Sequence, residues 1–291
     1  MKSNRHLFSL IGLYGFMTAV CLACLLPLVL VVSASFTESS AFTLNGFRLI
    51  PDRWSLASYR LVLKDADQLL ASYKVTIAVT VLGTLLSLLI TSLLAYPLSR
   101  KDFAYKNPLS FYVFFTMLFN GGLVPLYILV TQYLHLKDTI WALILPALIN
   151  PFYVLLTRTF FQTIPEAVIE SATLDGITEW QMYIRIILPL SGPILATIGL
   201  FTTMNYWNDW FSSLLYIEDR NLISLQYLLI MMKENIEYML MNPNSDSSLR
   251  DVPSDTVRMA MAVLTIGPVA FVYMFFQKYF VRGMVIGAVK G

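Results

Sequence analysis

Charge is scarce in this sequence. Asp, Glu, Lys and Arg make up 13% of its 291 residues, against about 25% in soluble domains. What charge there is balances to a net +2, which leaves no broad basic surface for nucleic acid. Histidine occurs twice, as His6 and His135. Neither lies near a carboxylate-rich apolar segment, which argues against a membrane enzyme. Cysteine also occurs twice, as Cys21 and Cys24. Their C-x-x-C spacing is that of redox and metal sites, but no second pair or histidine accompanies them, and the flanks are Leu, Ala and Val. They read as small apolar side chains on one helix face, and no metal site is expected. The chain also lacks a G-x-x-x-x-G-K-[ST] phosphate loop. It therefore hydrolyses no ATP itself, and no cofactor is expected on it.

Apolar sequence, by contrast, comes in long runs. Hydrophobic residues make up 57% of the chain and the mean hydropathy is +0.67. The runs cover 10–35, 69–98, 108–131, 139–161, 186–211 and 255–280. Each has roughly 20 apolar residues or more, enough at 1.5 Å per residue to cross about 30 Å of hydrocarbon. A signal peptide has an apolar core of only about 7–15 residues, so the first run reads as a retained span. The expectation is an all-α integral membrane protein, a single domain over 1–291 with six transmembrane helices. Short loops rich in Lys and Arg mark the cytoplasm. The N-terminal tail, the 99–107 loop and the C-terminal tail are all basic and fall on one side of a six-span chain, so both termini are expected to be cytoplasmic. The polar segments 37–68 and 212–254 then fall outside.

One stretch breaks the charge pattern. Residues 163–193, TIPEAVIESATLDGITEWQMYIRIILPLSGP, belong on the basic side yet carry Glu166, Glu170, Asp175 and Glu179. Thr163 is placed to cap a helix, with Pro165 in its first turn and Glu166 completing a capping box. That helix is expected to end at Asp175-Gly176, with Gly176 left-handed. Thr178 to Gln181 repeats the capping pattern. A second short helix then carries Trp180, Tyr183, Ile184 and Ile187 toward one side, and Leu188-Pro189 leads into the fifth span. A rigid corner with acidic and apolar residues together suits docking into a cleft on another protein. An amphipathic interfacial elbow with a solvated acidic face is the alternative.

The order Glu170-Ser171-Ala172, Gly176, Ile186-Ile187-Leu188-Pro189 resembles the EAA motif of binding-protein-dependent ABC importer permeases. That pattern reads E-A-A, three residues, G, about nine residues, then I-x-L-P. Ser171 departs from it, small for small. Other blocks are similar to the sugar-importing, maltose-permease branch that takes complex oligosaccharides: FRLIPDRWSLASYRLVL, LLAYPLSRKDF, FNGGLVPLYILV, VPSDTVRMAMAVL and QKYFVRGMVIGAVKG. The resemblance covers nearly the whole chain and implies the type I importer permease fold in a bacterial cytoplasmic (inner) membrane. It also implies coupling helices over 163–187 that insert into a groove on an ATPase subunit, with Glu166, Glu170, Ser171, Ala172, Asp175, Gly176, Leu188 and Pro189 forming the coupling element. The implied partners are an ATPase dimer carrying ATP and Mg, a second, related permease chain, and an extracytoplasmic solute-binding protein that segment 212–254 would reach.

Polar and aromatic residues within spans are the candidates for a solute path. Asn205, Tyr206, Trp207, Asn208 and Asp209 cluster toward the end of the fifth run, and Asp209 is the one acid placed in any span. Aromatic faces with amide and carboxylate hydrogen bonds suit sugars. Asn120, Tyr127, Asn150 and Tyr153 are further candidates near mid-membrane. An aromatic belt with helix-packing amides explains the same residues. The breakers Asn120-Gly121-Gly122, Pro125, Pro146, Pro151, Pro189, Pro193 and Gly267-Pro268 read either as ordinary kinks or as kinks that shape a path. Two alternatives stay open: an ABC permease for a non-sugar solute, and an ion-coupled secondary transporter. The second needs intramembrane charge, and only Asp209 offers it. The favoured expectation is import of oligosaccharides, with acidic ones such as uronate oligomers compatible.

Overall fold

A backbone in lipid must satisfy its own hydrogen bonds, and a helix does so within one segment. The computed structural model describes residues 2–241 and 255–268, and their regular elements are helices and helical turns apart from one isolated antiparallel bridge, Thr37 to Trp54. These residues form two compact units, one from residues up to 66 with 229–267, the other from 67–228 with residue 268.

In the first unit, α1 (Lys2–Ser35) is a 34-residue helix whose large apolar side chains from Leu13 to Val29 point outward. Short helices α2 (Ser39–Asn45) and α3 (Ala57–Val62) follow. Phe36 packs between Trp54 and Tyr59, with ring centroids 6.1 and 4.9 Å away. Ser35 shares a 2.9 Å hydrogen bond with the Tyr59 hydroxyl. Ser58 donates to Thr256 at 2.8 Å, joining α3 to the helical residues 255–268, whose Val257 and Ala260 are fully buried.

The second unit is built on α4 (Ala66–Ser99). Then come α5 (Lys106–Leu118), α6 (Leu123–Ile128), α7 (Ile140–Ile144), α8 (Pro151–Phe161), α9 (Glu166–Leu174), α10 (Glu179–Met182), α11 (Leu188–Leu190), α12 (Gly192–Trp207) and α13 (Phe211–Tyr216); α14 (Leu225–Met241) begins here and continues into the first unit.

Several expected spans are bent. The run over 108–131 breaks at residues 119–122, where α5 meets α6 at 109°. Gly122 takes φ +90°, and the Asn120 side chain accepts its N–H at 2.8 Å. The run over 139–161 bends by 54°, with Asn150 capping α8 by accepting the Phe152 N–H at 3.0 Å ahead of Pro151. The expected fifth span over 186–211 is shorter: α12 starts at Gly192 after a 78° bend and ends at Trp207. Pro189 lacks an N–H, which weakens the helix ahead of that bend. Of the expected sixth span, residues 255–268 are helical and 269–280 lie outside the described residues. By length and apolarity, two continuous helical segments can cross a membrane, Gly12–Ser35 and Ala57–Ser99, and up to five crossings result if each bent pair is one span.

Helix α4 inverts the pattern of a soluble helix. Its buried face carries Ser72, Thr76, Thr80, Gly83, Thr84, Ser87, Thr91 and Ala95, and its open face Leu70, Ile77, Val81, Leu85, Leu89 and Leu94. In lipid, burying Leu gains nothing over leaving it in the tails, and small residues allow close backbone approach. At Gly83 that approach is tight: a Cβ there would lie 2.6 Å from the Tyr206 ring. The Tyr206 hydroxyl is anchored by donating to the Ile144 carbonyl at 2.9 Å, so the ring has little freedom to yield.

At the Ala66 end of α4, Gln68 donates to the Arg220 carbonyl at 2.6 Å, and Thr76 accepts the Leu225 N–H at 2.8 Å. The turn before α7 holds the same segment from another direction. There Asp138, with φ +56°, accepts the N–H groups of Asp219 at 2.9 Å and Glu218 at 2.5 Å. These two donors, Asp219 first, hold the Asp138 carboxyl below its ordinary value of 3.8. A depressed carboxylate stabilises the fold above its unfolded value, and this contribution is lost as pH falls through the folded value. The unfolding temperature of purified wild type should therefore exceed that of Asp138→Asn at neutral pH, with the gap closing as pH falls below 3.8. A gap independent of pH would contradict the charged latch.

Candidate functional site

The acidic stretch folds as a corner between α8 and α12. Its first helix starts differently from the expectation. Pro165 occupies the N-cap position with no side-chain cap, and the Thr163 hydroxyl turns back to the Phe160 carbonyl at 2.7 Å. The carbonyl of the preceding helix's last turn outcompetes the cap. Glu166 still opens α9, where a negative charge favours the helix dipole.

The far end of α9 follows the sequence. Gly176 has φ +73°. The Ile177 N–H reaches the Ala172 carbonyl at 3.3 Å and the Gly176 N–H the Thr173 carbonyl at 3.0 Å, the paired bonds of a Schellman ending. Ile177 also packs against the cluster holding Ala172, the apolar contact that accompanies this ending. Thr178 then forms a full capping box: its hydroxyl accepts the Gln181 N–H at 3.4 Å and the Gln181 side chain accepts the Thr178 N–H at 3.1 Å.

The second half of the corner departs from the one-sided helix expected. Tyr183 and Ile187 are buried, but Trp180 is 59% exposed and Ile184 44%. After four α-helical residues the backbone widens into a π turn over Tyr183–Ile187. That turn shifts the register, so spacings taken from a regular helix fail. Trp180 lies against the Tyr183 ring instead, with centroids 5.5 Å apart.

A core of Ala95, Phe161, Ala172, Met182 and Ile187 holds the corner against α4 and α8. Burying a large apolar side chain from water contributes about 1.5–3 kcal/mol, whereas an exposed ion pair contributes about 0–1 kcal/mol. Packing therefore carries the stability, and the polar contacts set the register. Those contacts are regular. Ser92 and Tyr96 on α4 and Arg100, the residue just past its end, recur at i, i+4 and i+8. They meet Glu179 and Tyr183. Ser92 and the Tyr183 hydroxyl are 2.7 Å apart, the Tyr96 and Tyr183 rings 5.4 Å, Arg100 binds Glu179 at 3.1 Å and Asp102 at 3.0 Å, and the Tyr96 hydroxyl donates to Glu179. On the other flank Lys101 pairs with Glu166.

These pairs explain why an acidic stretch lies beside a basic loop. Glu166 and Glu179 are neutralised within the chain. Glu170 and Asp175 are exposed and have no ion-pair partner among the described residues. Of the other coupling candidates, Ser171, Gly176 and Pro189 are exposed, Leu188 is half-buried and Ala172 is in the core. Leu174, 89% exposed, adds an apolar contact point beside Asp175. A cleft of about 850 Å³ separates α9 from the 99–106 turn, lined among others by Arg100, Lys101, Lys106, Glu166 and Glu170. Arg100, Tyr96, Ser92 and Tyr183 were not singled out as site residues in the sequence. Their pairing joins positions 79 to 91 residues apart, which leaves no local signal along the chain.

The solute-path candidates are scattered by comparison. Tyr206 and Trp207 are buried within the chain, while Asn205 is exposed on α12 and Asn208 is exposed at its C-cap, its amide donating to the Met204 carbonyl at 2.9 Å. Asp209 lies past the end of α12 and not within a span; its carboxylate accepts the Ser212 N–H at 3.0 Å at the start of α13. Tyr153 stacks on Phe201 and Tyr127 on Tyr216, with centroids 6.4 and 6.0 Å apart. Asn120 and Asn150 are engaged as turn and cap. A void of about 10 Å³ beside Tyr206 and Asp209 is too small for a sugar.

A family model described as the binding-protein-dependent transport system inner membrane component matches residues 87–286. The chain belongs to this family. The permease is 40% identical over 288 residues to the polygalacturonan/rhamnogalacturonan transport system permease protein YtcP of Bacillus subtilis (strain 168), covering 99% of this chain and all of that one. It is 39% identical over 268 residues to Protein LplC of the same organism, covering 92% and 90% of the two chains. Among solved structures, a chain of a bacterial ABC transporter involved in the import of the acidic polysaccharide alginate matches with a TM-score of 0.77 at 28% identity, covering 94% of this chain and 97% of that one. The fold is that of an ABC importer permease, and the chain is a transport subunit whose ATPase is a separate protein.

The turn at Gly176 gives a direct test. Nothing lies within 4 Å of a Cβ built there, so only the positive φ penalises substitution. Gly176→Val should destabilise the purified permease by about 1–2 kcal/mol, and Gly176→Asn should be nearly neutral, as read by thermal unfolding. Equal tolerance of both would show that the left-handed turn is not maintained.

Proposed function

We propose that this permease imports acidic oligosaccharides of the uronate type and that its corner is the element an ATPase grips. The carrying observation is the corner itself: a capped two-helix turn, locked to α4, that presents Glu170, Asp175 and Leu174 outward after its other two acids are paired internally. The order Glu170, Ser171, Ala172, Gly176, Leu188, Pro189 is an EAA element on this reading. ATP-driven closure moves it, and the spans switch from inward-open to outward-open. Such a switch requires the ATPase to bind the two states unequally.

The remaining parts follow from the same reading. The chain makes six crossings of a bacterial cytoplasmic membrane with both termini inside, and α9 and α10 lie at the inner face. One chain supplies one corner, so a second permease chain supplies the other for an ATPase dimer, and a binding protein delivers solute from outside. Asn205, exposed on α12 one turn from exposed Phe201, and Asn208 at its C-cap supply amides, and Phe201 an aromatic face, toward the path. Support for the acidic sugar comes from the relatives: one is named for polygalacturonan and rhamnogalacturonan, and the solved importer for alginate.

The test is the reconstituted complex with its binding protein and a partial hydrolysate of polygalacturonate. Glu170→Lys should insert and assemble normally but lose about tenfold of the sugar-stimulated ATPase rate, within the usual range of coupling factors. Undiminished stimulation would refute the docking role. Failure of the hydrolysate to stimulate wild type, with a neutral oligosaccharide active instead, would refute the substrate class.

A further inference from the structure

The corner has two routes into the membrane, and they differ in stiffness. The first is the backbone into α12. It runs through the π turn Tyr183–Ile187, the three-residue α11 with Pro189, and a 78° bend at Ser191. Each of these breaks the regular ladder of helical hydrogen bonds, so the route is compliant. The second is lateral, into α4, through Ser92 and Tyr96 on the helix and Arg100 immediately after its last residue. It combines the Tyr183–Ser92 and Tyr96–Glu179 hydrogen bonds, the Tyr96–Tyr183 ring contact and the Arg100–Glu179 ion pair with the Ala95–Ile187 core. Arg100 is well covered, its side chain only 14% exposed.

Helix α4 is unbroken over 34 residues, a length of about 50 Å at 1.5 Å per residue. Its one proline, Pro97, lies in the last turn. At its opposite end Gln68 holds the Arg220 carbonyl and Thr76 the Leu225 N–H. The segment they hold is also fixed by Asp138 and by the Lys137–Glu218 pair. One rigid helix thus bonds the corner at one end and the root of the long polar segment at the other.

We propose that α4 is a transmission rod, with Arg100 and Gln68 as the positioning residues that fasten its two ends. The rod carries movement of the ATPase-side corner to the outer segment, and carries binding-protein contact there back to the ATPase. This rests on the reading of the corner as the ATPase-docking element. Coupling between remote sites is reciprocal, so one rod serves both directions. Elements in series have a signature. Once one fastening is cut, cutting the other adds nothing, whereas distant independent sites add.

The experiment uses the full reconstituted complex, the binding protein and a polygalacturonate hydrolysate. Arg100→Ala and Gln68→Ala should each reduce stimulation about tenfold, and Gln68→Ala should leave assembly and basal ATPase activity unchanged. The double variant should be no worse than either single one. In a Cys21→Ser/Cys24→Ser background, bridging the thiols of Arg100→Cys/Glu179→Cys with a short bifunctional maleimide should restore stimulation, because the two sides move together. Full stimulation in both single variants, additive losses, or inhibition by the thiol bridge would each overturn the rod. If Arg100→Ala fails to fold, Gln68→Ala and the bridged pair still decide the matter. The docking reading is separable: it fails if Glu170→Lys keeps full stimulation, whereas the rod alone fails if Glu170→Lys uncouples and the rod variants do not.

Discussion

The Glu179 carboxylate receives the Tyr96 hydroxyl and the Arg100 guanidinium together, and the corner's register follows from that meeting. Helices of nine and four residues are too short to persist alone, so α9 and α10 exist because they are held. The Schellman ending at Gly176 and the capping box at Thr178 complete the backbone hydrogen bonds of the turn. Met182, Tyr183 and Ile187 provide the buried area. The polar contacts choose which face of α10 meets α4, and so decide that Glu170, Asp175 and Leu174 remain outside.

The same helix shows how lipid alters the meaning of composition. In α4 small and hydroxylated residues dominate the seam, joined by Leu69, Val75, Val79 and Leu98, and Leu70, Leu82, Leu85, Leu89 and Leu94 face away. Tight approach at Gly83 and the Tyr206 anchor on Ile144 give the seam its shape. The result is an unbroken element in a unit where other long apolar runs are broken. Continuity and attachment at both ends are the properties a lever needs, and among the described helices of the second unit α4 combines them.

Much of this was legible in the sequence, for identifiable reasons. Apolar runs longer than a soluble core requires gave the membrane class, and the ordered blocks from Phe47 to Gly291 gave the family. Gly176 and the Thr178–Gln181 box were readable because turn and cap chemistry is local. Thr163 misled because two backbone partners compete for one hydroxyl, and local pattern does not rank them. Trp180 and Ile184 misled because a π turn, which leaves no composition signal, shifted the register. Asp209 was placed in a span because apolar runs hide helix ends; its carboxylate helps start α13. The pairing of Arg100 with Glu179 spans 79 positions, a distance that pattern reading along the chain does not cross.

The central claim is that the corner and α4 move as one body. Spin labels at Leu94→Cys on the open face of α4 and Ile184→Cys on the exposed face of the corner, in a Cys21→Ser/Cys24→Ser background, measure this directly by electron paramagnetic resonance. The account predicts one unchanged distance distribution in the nucleotide-free and ATP-trapped complexes. A distribution that shifts or splits on ATP binding would contradict it.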